Sequence, residues 1–301
     1  MGGRSRRFES GRPDLVVLLA ASAAVLFGAL AVTIRTSLAP GIDPEAASLI
    51  TAVVACLVCV AIATALGEFS RLAWRDTWPF FVAGIWVPGI SQMLFTRAVG
   101  VIGPSRTAIL VGISPVLSAI FAIALLDEPF RVVLALGTIL VVAGGILLAW
   151  EREGALVVLP VGAALAVAAG VLFAVRDNFV RWAATENDVP GVVAAAASLA
   201  TASFVILVVV AMRGSSPLAR VRKAAGPFLL SGLVYGLSYA CLFAAFDRGR
   251  VTVVAPLYAT ESLWAVVISL LVLRRAERVG WRLLVAALLV VGGGALISSF
   301  R

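Results

Sequence analysis

Residues 14–37 read DLVVLLAASAAVLFGALAVTIRTS, and residues 155–182 read ALVVLPVGAALAVAAGVLFAVRDNFVRW. Each stretch is apolar over about the 20 helical residues needed to cross a bilayer core of roughly 30 Å. The two also share a pattern, because Val25-Leu26-Phe27 ahead of Ile34-Arg35 returns 146 positions later as Val171-Leu172-Phe173 ahead of Val180-Arg181. A shared pattern at this distance indicates a chain built from two similar halves.

The repeat continues to the end of the chain. Leu94-Phe95 returns as Leu242-Phe243, Gly84 returns as Gly232, and Gly144-Gly145-Ile146-Leu147 returns as Gly293-Gly294-Ala295-Leu296. The displacement drifts only from 146 to 149 positions, which short insertions in loops explain. We therefore expect the two halves to contain the same number of spans.

Composition and hydropathy indicate a chain that lies in a bilayer. Charged residues make up 13% and apolar residues 62% of its 301 positions, whereas soluble domains have about a quarter and about half. Unpaired backbone groups cannot face lipid, and the alternation typical of membrane barrel strands is absent, so we expect helices. Ten spans are predicted at 14–37, 45–67, 78–99, 104–126, 131–150, 155–182, 190–212, 224–246, 251–273 and 279–300.

The predicted fold is an all-α membrane protein with ten transmembrane helices. A cytoplasmic N-terminal segment (1–13) precedes a first five-helix repeat (14–150) and a second five-helix repeat (155–300). Because five is odd, a chain that alternates across the membrane makes these inverted repeats. In transporters, such repeats place the substrate site near the bilayer midplane, between the halves.

The distribution of arginine sets the expected orientation. Arg4, Arg6, Arg7 and Arg12 precede the first span and favour a cytoplasmic N-terminus. Ten spans then place the C-terminus, at Arg301, on the cytoplasmic side as well. The arginines of the second half conflict with this orientation, since more of them fall outside than inside. We keep the topology set by the first helix.

The basic balance does not indicate nucleic acid, although the net charge is +8. The basic residues are scattered through short loops and helix ends, where they act as topology signals and headgroup anchors. They are almost all arginine, and alanine and valine dominate the chain, which indicates a bacterial source. The expected location is the bacterial inner membrane. The expected partners are a small-molecule substrate and membrane lipid, with no obligatory protein partner evident.

No metal site or cofactor is expected. Cys56, Cys59 and Cys241 all fall within spans, and the first two have the spacing of half a zinc site. A zinc site needs about four ligands, and the chain contains no histidine. We interpret the cysteines as small packing residues.

Glu261 is the strongest candidate for a functional residue. It lies near the middle of the ninth predicted span, three residues after Tyr258 and three before Trp264. A charged side chain at this depth costs roughly 2.5–3.5 kcal/mol on insertion scales, so it faces a cavity or a partner. Glu261, Tyr258 and Trp264 are therefore predicted to bind substrate. The alternative is an internal ion pair with a structural role.

Arg176, Asp177 and Asn178 form a second polar cluster, in the sixth span just after Phe173. Asp177 and Arg181 are four residues apart and could pair along the helix, which would leave Arg176 to pair with Glu261. The alternative is an Arg176 side chain that extends to the membrane interface. Arg176, Asp177 and Phe173 join the predicted substrate-binding residues, and Glu261 and Asp177 are the candidates for proton coupling.

Aromatic residues and prolines complete the set of candidates. Tyr235 and Tyr239 lie one helical turn apart in the eighth span, and buried tyrosine hydroxyls need partners, which favours a polar cavity. Trp86, in the third span, is also assigned to substrate binding. Pro88 and Pro115 fall inside the third and fourth spans and are predicted to bend those helices for gating.

Several segments resemble the drug/metabolite transporter superfamily, in its ten-helix branch built from two EamA-type repeats. The segments of the first half are Arg97-Ala98-Val99-Gly100, Gly112-Ile113-Ser114-Pro115, Leu125-Leu126-Asp127-Glu128-Pro129 and Ala143-Gly144-Gly145. Those of the second half are Ala245-Phe246-Asp247-Arg248-Gly249, Val254-Ala255-Pro256-Leu257, Leu273 to Glu277 and Gly292-Gly293-Gly294. The resemblance covers about residues 14–300. Two departures stand out: Phe27-Gly28 and Phe173-Ala174 replace the family's frequent Trp-Gly, and Glu261-Ser262 replaces Ser-Pro.

This resemblance implies a secondary transporter that exports small metabolites by alternating access, without nucleotide hydrolysis. The resemblance says little about the substrate, and among the known types we expect a YddG-like exporter of aromatic and other neutral amino acids. Arginine and glutamate at cavity depth could meet the carboxylate and the ammonium group of a zwitterion. The alternative is an exporter of hydrophobic or cationic compounds, or of other metabolites.

An enzymatic function is not expected. The absence of histidine removes Ser-His and His-zinc arrangements. An intramembrane aspartyl-type site needs two facing carboxylates, and only Asp177 and Glu261 are deep enough to form one.

Overall fold

The computed structural model describes residues 13–72, 74–103, 107, 110–153, 160–213, 216–273 and 281–299. Within these ranges the chain is helical and contains no β-strand. The predicted orientation depends on the N-terminal arginines and on Arg301, and these residues lie outside the described ranges, as does nearly all of the predicted cytoplasmic segment.

The helices follow the predicted spans closely. They are α1 (Pro13–Ser37), α2 (Pro44–Ala65), α3 (Trp78–Gly84), α4 (Ser91–Ile102), α5 (Ser114–Leu125), α6 (Val132–Glu153), α7 (Pro160–Glu186), α8 (Gly191–Met212), α9 (Pro217–Arg248), α10 (Val251–Tyr258), α11 (Glu261–Leu273) and α12 (Trp281–Ser299). Six helical segments of the described chain are long and apolar enough to cross a membrane. The chain is an all-α membrane protein, as its sequence predicts.

Three predicted spans are interrupted instead of continuous. The third consists of α3, a π-helical segment Ile85–Ile90 and α4, with non-helical dihedral angles at Val87 beside Pro88. The fourth breaks at a turn over residues 112–113, directly before α5. Pro115 lies in the first turn of α5, where proline is compatible with a helix, so the change of direction comes just before Pro115.

The ninth span breaks at the matching position of the second repeat. A turn at Ala259 and Thr260 separates α10 from α11, and α11 begins at Glu261. The expectation that Glu261 lies in the middle of one helix is therefore wrong, because Glu261 occupies the first turn of a new helix. In the second repeat the fourth span therefore consists of two half-helices, and the described residues of the first repeat show a matching turn directly before α5.

Packing joins the two halves throughout the bundle. Helix α1 packs against α9 and α11, α2 against α8 and α9, α4 against α7, and α6 against α12. Gly28 shows how close the helices come, since a Cβ atom there would lie 2.6 Å from the backbone nitrogen of Ala265. Only glycine allows α1 to approach α11 at this point, beside Glu261 and Trp264.

A candidate substrate site between the two repeats

The centre of the bundle contains a buried ion pair between neighbouring residues of α7. Arg176 donates from Nη2 to Asp177 Oδ1 at 2.7 Å and from Nε to the same oxygen at 3.0 Å. Ser118 of α5 donates its hydroxyl to Asp177 Oδ2 at 2.8 Å. The two charged residues are only 1% and 2% exposed, so Arg176 does not extend to the membrane interface.

The expected pairing of Asp177 with Arg181 is wrong. Arg181 instead donates from Nη1 to the backbone oxygens of Phe246 and Asp247, at 2.9 and 3.3 Å. Spacing along a helix permits the Asp177–Arg181 contact but does not decide it, because Ser118 holds the Asp177 carboxylate on another side. The long Arg176 side chain curls back to that carboxylate, and no ion pair joins Arg176 to Glu261.

Aromatic rings surround the Arg176 guanidinium. Its central carbon lies 5.1 Å from the ring centre of Phe173, 5.6 Å from that of Tyr239 and 5.9 Å from that of Tyr258. Arg176 Nη1 also donates to the Tyr239 hydroxyl at 3.3 Å. Arginine over aromatic faces gains cation–π attraction, which reaches about 2 kcal/mol or more when the site is desolvated. The charge is therefore held by an anion and by rings together.

Phe27 connects this group to the first repeat. Its ring centre lies 5.4 Å from Phe95, 6.1 Å from Phe173, 6.2 Å from Tyr235 and 5.4 Å from Tyr258. Phe27 and Phe95 were not among the predicted site residues. The repeat contained the signal, since they are the copies of Phe173 and Phe243 in the first half, and Phe243 packs on Tyr239 at 5.1 Å.

Glu261 faces the same centre from the start of α11. It lines a small cavity together with Arg176, Asp177, Phe173 and Tyr258. The cavity is also lined by Gly112, Ser114, Pro115 and Ala259, which belong to the two helix breaks. Glu261 Oε2 is buried and has no hydrogen-bond partner in the described part of the chain. With a volume of about 20 Å³, the cavity has room for about one water molecule.

The other predicted residues divide into two groups. Tyr235 and Tyr239 lie edge to face, with ring centres 4.7 Å apart, within the aromatic cluster. Trp264 packs against the hydrophobic core where α11 meets Gly28. Trp86 lies elsewhere, with its ring 5.5 Å from Phe179. Its indole nitrogen is buried without a partner among the described residues.

Contacts between the repeats close both ends of the bundle. At the end where α2 begins, Glu45 pairs with Arg213 and Asp43 pairs with Arg220 across the repeats, and Glu45 also pairs with Arg97 of its own repeat. At the opposite end, the Glu128 carboxylate accepts hydrogen bonds from the backbone nitrogens of Val251 and Thr252 at 2.9 and 3.0 Å. Glu128 thus caps the N-terminus of α10 from the other repeat.

The cysteines take part in packing contacts. Cys56 and Cys59 direct their sulfur atoms to the backbone oxygens of Ala196 and Gly236. Within the described ranges, no group of three His, Cys, Asp or Glu side chains could hold a metal ion.

Comparisons with known proteins agree with the repeat seen in the sequence. The sequence model of the EamA-like transporter family matches residues 14–150 and again residues 160–299. A solved structure described only as "Crystal structure of protein" is similar over 95% of this chain and 99% of its own, with a TM-score of 0.70 and 21% identity. At this identity the likeness shows the fold. No curated protein matches the chain.

Proposed function

The chain belongs to the EamA-like transporter family, within the drug/metabolite transporter superfamily, and we propose that it exports small metabolites, with neutral and aromatic amino acids as the best candidates. Substrate would bind at the centre of the bundle and reach either side by alternating access between the two repeats. Proteins of this family are transporters, so we expect no enzymatic activity.

This proposal rests on one observation: Arg176 and Glu261 have hydrogen-bonding groups without partners among the described residues, and aromatic rings lie around them. A guanidinium has five N–H groups, and Arg176 uses three of them on Asp177 and Tyr239. The remaining two could bind a substrate carboxylate, while the unpartnered oxygen of Glu261 could accept from an ammonium group. Phe27, Phe173 and Tyr258 would contact an apolar side chain. Such a site is mostly apolar with a few placed polar groups.

Substrate binding requires the bundle to open. A cavity of about 20 Å³ holds no amino acid, so the structure represents a state closed at both ends. The half-helices that meet at the centre supply a means of opening, because helix breaks at the midplane let one part of a repeat move against the other. The contacts of Asp43, Glu45 and Glu128 would break alternately.

The charge of the site favours a second candidate, an exporter of hydrophobic or cationic compounds. Arg176, Asp177 and Glu261 together carry one net negative charge when all are ionised. A bound zwitterion leaves that charge in place, whereas a cation neutralises it. For an amino acid, a proton on Glu261 would do the same. Glu261 is the better proton carrier of the two predicted carboxylates, because Asp177 is already held by Arg176 and Ser118.

We also propose the bacterial inner membrane as the location, with both termini cytoplasmic and the repeats divided as 14–150 and 155–300. A reporter fused after Arg301 tests the topology. Activity of a cytoplasmic reporter supports ten spans in this orientation, and activity of a periplasmic reporter contradicts it.

Counterflow in proteoliposomes tests the substrate. Vesicles preloaded with phenylalanine, methionine, threonine or tetraphenylphosphonium would be assayed for uptake of the matching labelled compound. We expect amino-acid uptake that depends on preload and is lost in Glu261→Gln. Glu186→Gln, at an exposed position near the end of α7, is the control and should transport normally. If the folded protein exchanges only tetraphenylphosphonium, the amino-acid proposal is wrong and the protein is an exporter of cations.

A further inference from the structure

The repeat relates the two residues at each helix break of the central site. Glu261 begins α11 after the break in the second repeat, and Ser114 begins α5 after the break in the first. Tyr258 is the last residue of α10, and Val111 is the last helical residue before the turn at 112–113. Val111 therefore occupies the same place in the first repeat as Tyr258 occupies in the second.

The other charged residues of the site have apolar counterparts. The displacement of 146 positions seen in the sequence pairs Leu30 with Arg176 and Ala31 with Asp177, and both apolar residues are buried. The charged residues that line the cavity are Arg176, Asp177 and Glu261, all of the second repeat, whereas the described lining residues of the first repeat carry no charge. The site therefore has a polar half and an apolar half.

Val111 has the largest apolar side chain among the described residues that the first repeat contributes to the cavity lining. It is only 2% exposed. Its backbone packs against Gly170 of α7, where a Cβ atom would lie 3.3 Å from both the Cα atom and the backbone oxygen of Val111. This close contact holds Val111 against the helix that carries Arg176, so the size of the Val111 side chain affects the width of the cavity.

We propose that the two repeats bind different parts of the substrate: the second repeat holds its charged groups, and Val111 of the first repeat sets the largest apolar group that the site accepts. This inference rests on the proposed function in one respect, because it takes the centre of the bundle as the substrate site. It applies to an amino acid and to an organic cation alike, since both have a charged part and an apolar part.

Competition in the counterflow assay tests the role of Val111. Unlabelled alanine, valine, leucine and phenylalanine carry the same charged groups and differ in the size of the apolar group, so the ratio of their half-inhibitory concentrations measures size selection. One methylene in an apolar pocket changes discrimination by about 10-fold or more. Val111→Ala should therefore favour phenylalanine over alanine about tenfold more than the wild type does. Val111→Ile adds one methylene and should shift the ratio in the opposite direction.

Two controls separate size selection from a general loss of packing. Val210→Ala makes the same change at a fully buried valine of α8, in a separate apolar cluster, and should leave the size ratio at its wild-type value. Phenethylamine and phenylalanine share their aromatic group and differ in charge, so Val111→Ala should not change the ratio between these two compounds. A general loosening of the site would change both ratios.

If the wild-type protein exchanges no amino acid, the series from tetramethylammonium to tetrabutylammonium gives the same comparison of size at constant charge. Exchange with size ratios that stay unchanged in both Val111 variants overturns this inference and leaves the proposed function unaffected. A wild-type protein that exchanges neither series contradicts the proposed function and this inference with it. If Val111→Ala does not fold, the direction of the shift in Val111→Ile decides.

Discussion

Phe27 of the first repeat lies 5.4 Å, between ring centres, from Tyr258 of the second repeat. Phe27 also contacts Phe95, Phe173 and Tyr235, so one side chain joins rings from both halves of the bundle. Its position makes it a packing centre of the closed state and a wall of the proposed substrate site.

Replacement of Phe27 by alanine should destabilise the protein. Phe27 is almost fully buried, and a large-to-small change at such a position typically costs about 3–5 kcal/mol. Thermal unfolding in detergent measures the effect. Phe204→Ala removes an exposed ring from α8 and should change the unfolding temperature little. Equal shifts for the two variants would contradict the central role of Phe27.

The Arg176–Asp177 pair should show strong coupling in a double-mutant cycle. Removal of one partner leaves a buried, unpaired charge and should cost about 3–5 kcal/mol. The double variant Arg176→Gln/Asp177→Asn should recover most of that stability without recovering transport, because the guanidinium charge proposed to bind a substrate carboxylate is gone.

The partly exposed pair Arg248–Asp247 provides the control for this cycle, since such pairs typically contribute about 0–1 kcal/mol. Chemical unfolding of the four proteins of each cycle gives the coupling energies. Transport by the double variant at the wild-type rate would show that Arg176 does not bind substrate.

Glu261 should determine how transport depends on pH. If Glu261 carries the coupled proton, an imposed pH gradient drives uptake by the wild-type protein and has no effect on Glu261→Gln. Without a gradient, the Glu261→Gln variant should exchange only substrates whose binding does not require the negative charge of the Glu261 carboxylate. A Glu261→Gln protein that still responds to the gradient would remove Glu261 from coupling.

We expect the contact between Asp43 and Arg220, at one end of the bundle, to be sensitive to acid. Burial pushes the pKa of Asp43 up, but hydrogen bonds with Glu45 and Arg220 and the charge of Arg220 outweigh burial, so the pKa lies below its ordinary value. A carboxyl whose pKa is lower in the folded than in the unfolded state stabilises the fold above the unfolded pKa of about 3.9. The stabilisation is lost as pH falls through the folded value.

Wild-type protein should therefore be more stable than Asp43→Asn at pH 7, and the difference should disappear in strong acid. Unfolding temperatures measured from pH 7 down to about pH 3 test this expectation. A difference that is constant over the whole range would show that the Asp43 charge does not contribute.

The sequence predicted the spans well because membrane crossing depends on length and apolarity, which are local properties. Each of the ten spans corresponds to helix in the described residues, and the repeat correctly paired Ser114 with Glu261. The break before Glu261 was not predicted, since Tyr258 through Ala265 contains neither glycine nor proline.

The partners of the buried charges could not be predicted from spacing alone. Arg176 is next to Asp177 in the chain, a relation that helix geometry does not favour for contact, and Arg181 lies at the favoured distance. The outcome depends on Ser118, which comes from another helix 59 residues away in the sequence. In contrast, Phe27 and Phe95 could have been predicted from the sequence, because the repeat aligns them with Phe173 and Phe243.

The matching breaks in the two fourth spans have a consequence for how a bound molecule is oriented. Serine begins α5 where glutamate begins α11, so the two halves share a shape but differ in charge. For the amino-acid substrate proposed above, Glu261 at the start of α11 would give the ammonium group one preferred pole, and the molecule would keep that direction whichever half moves.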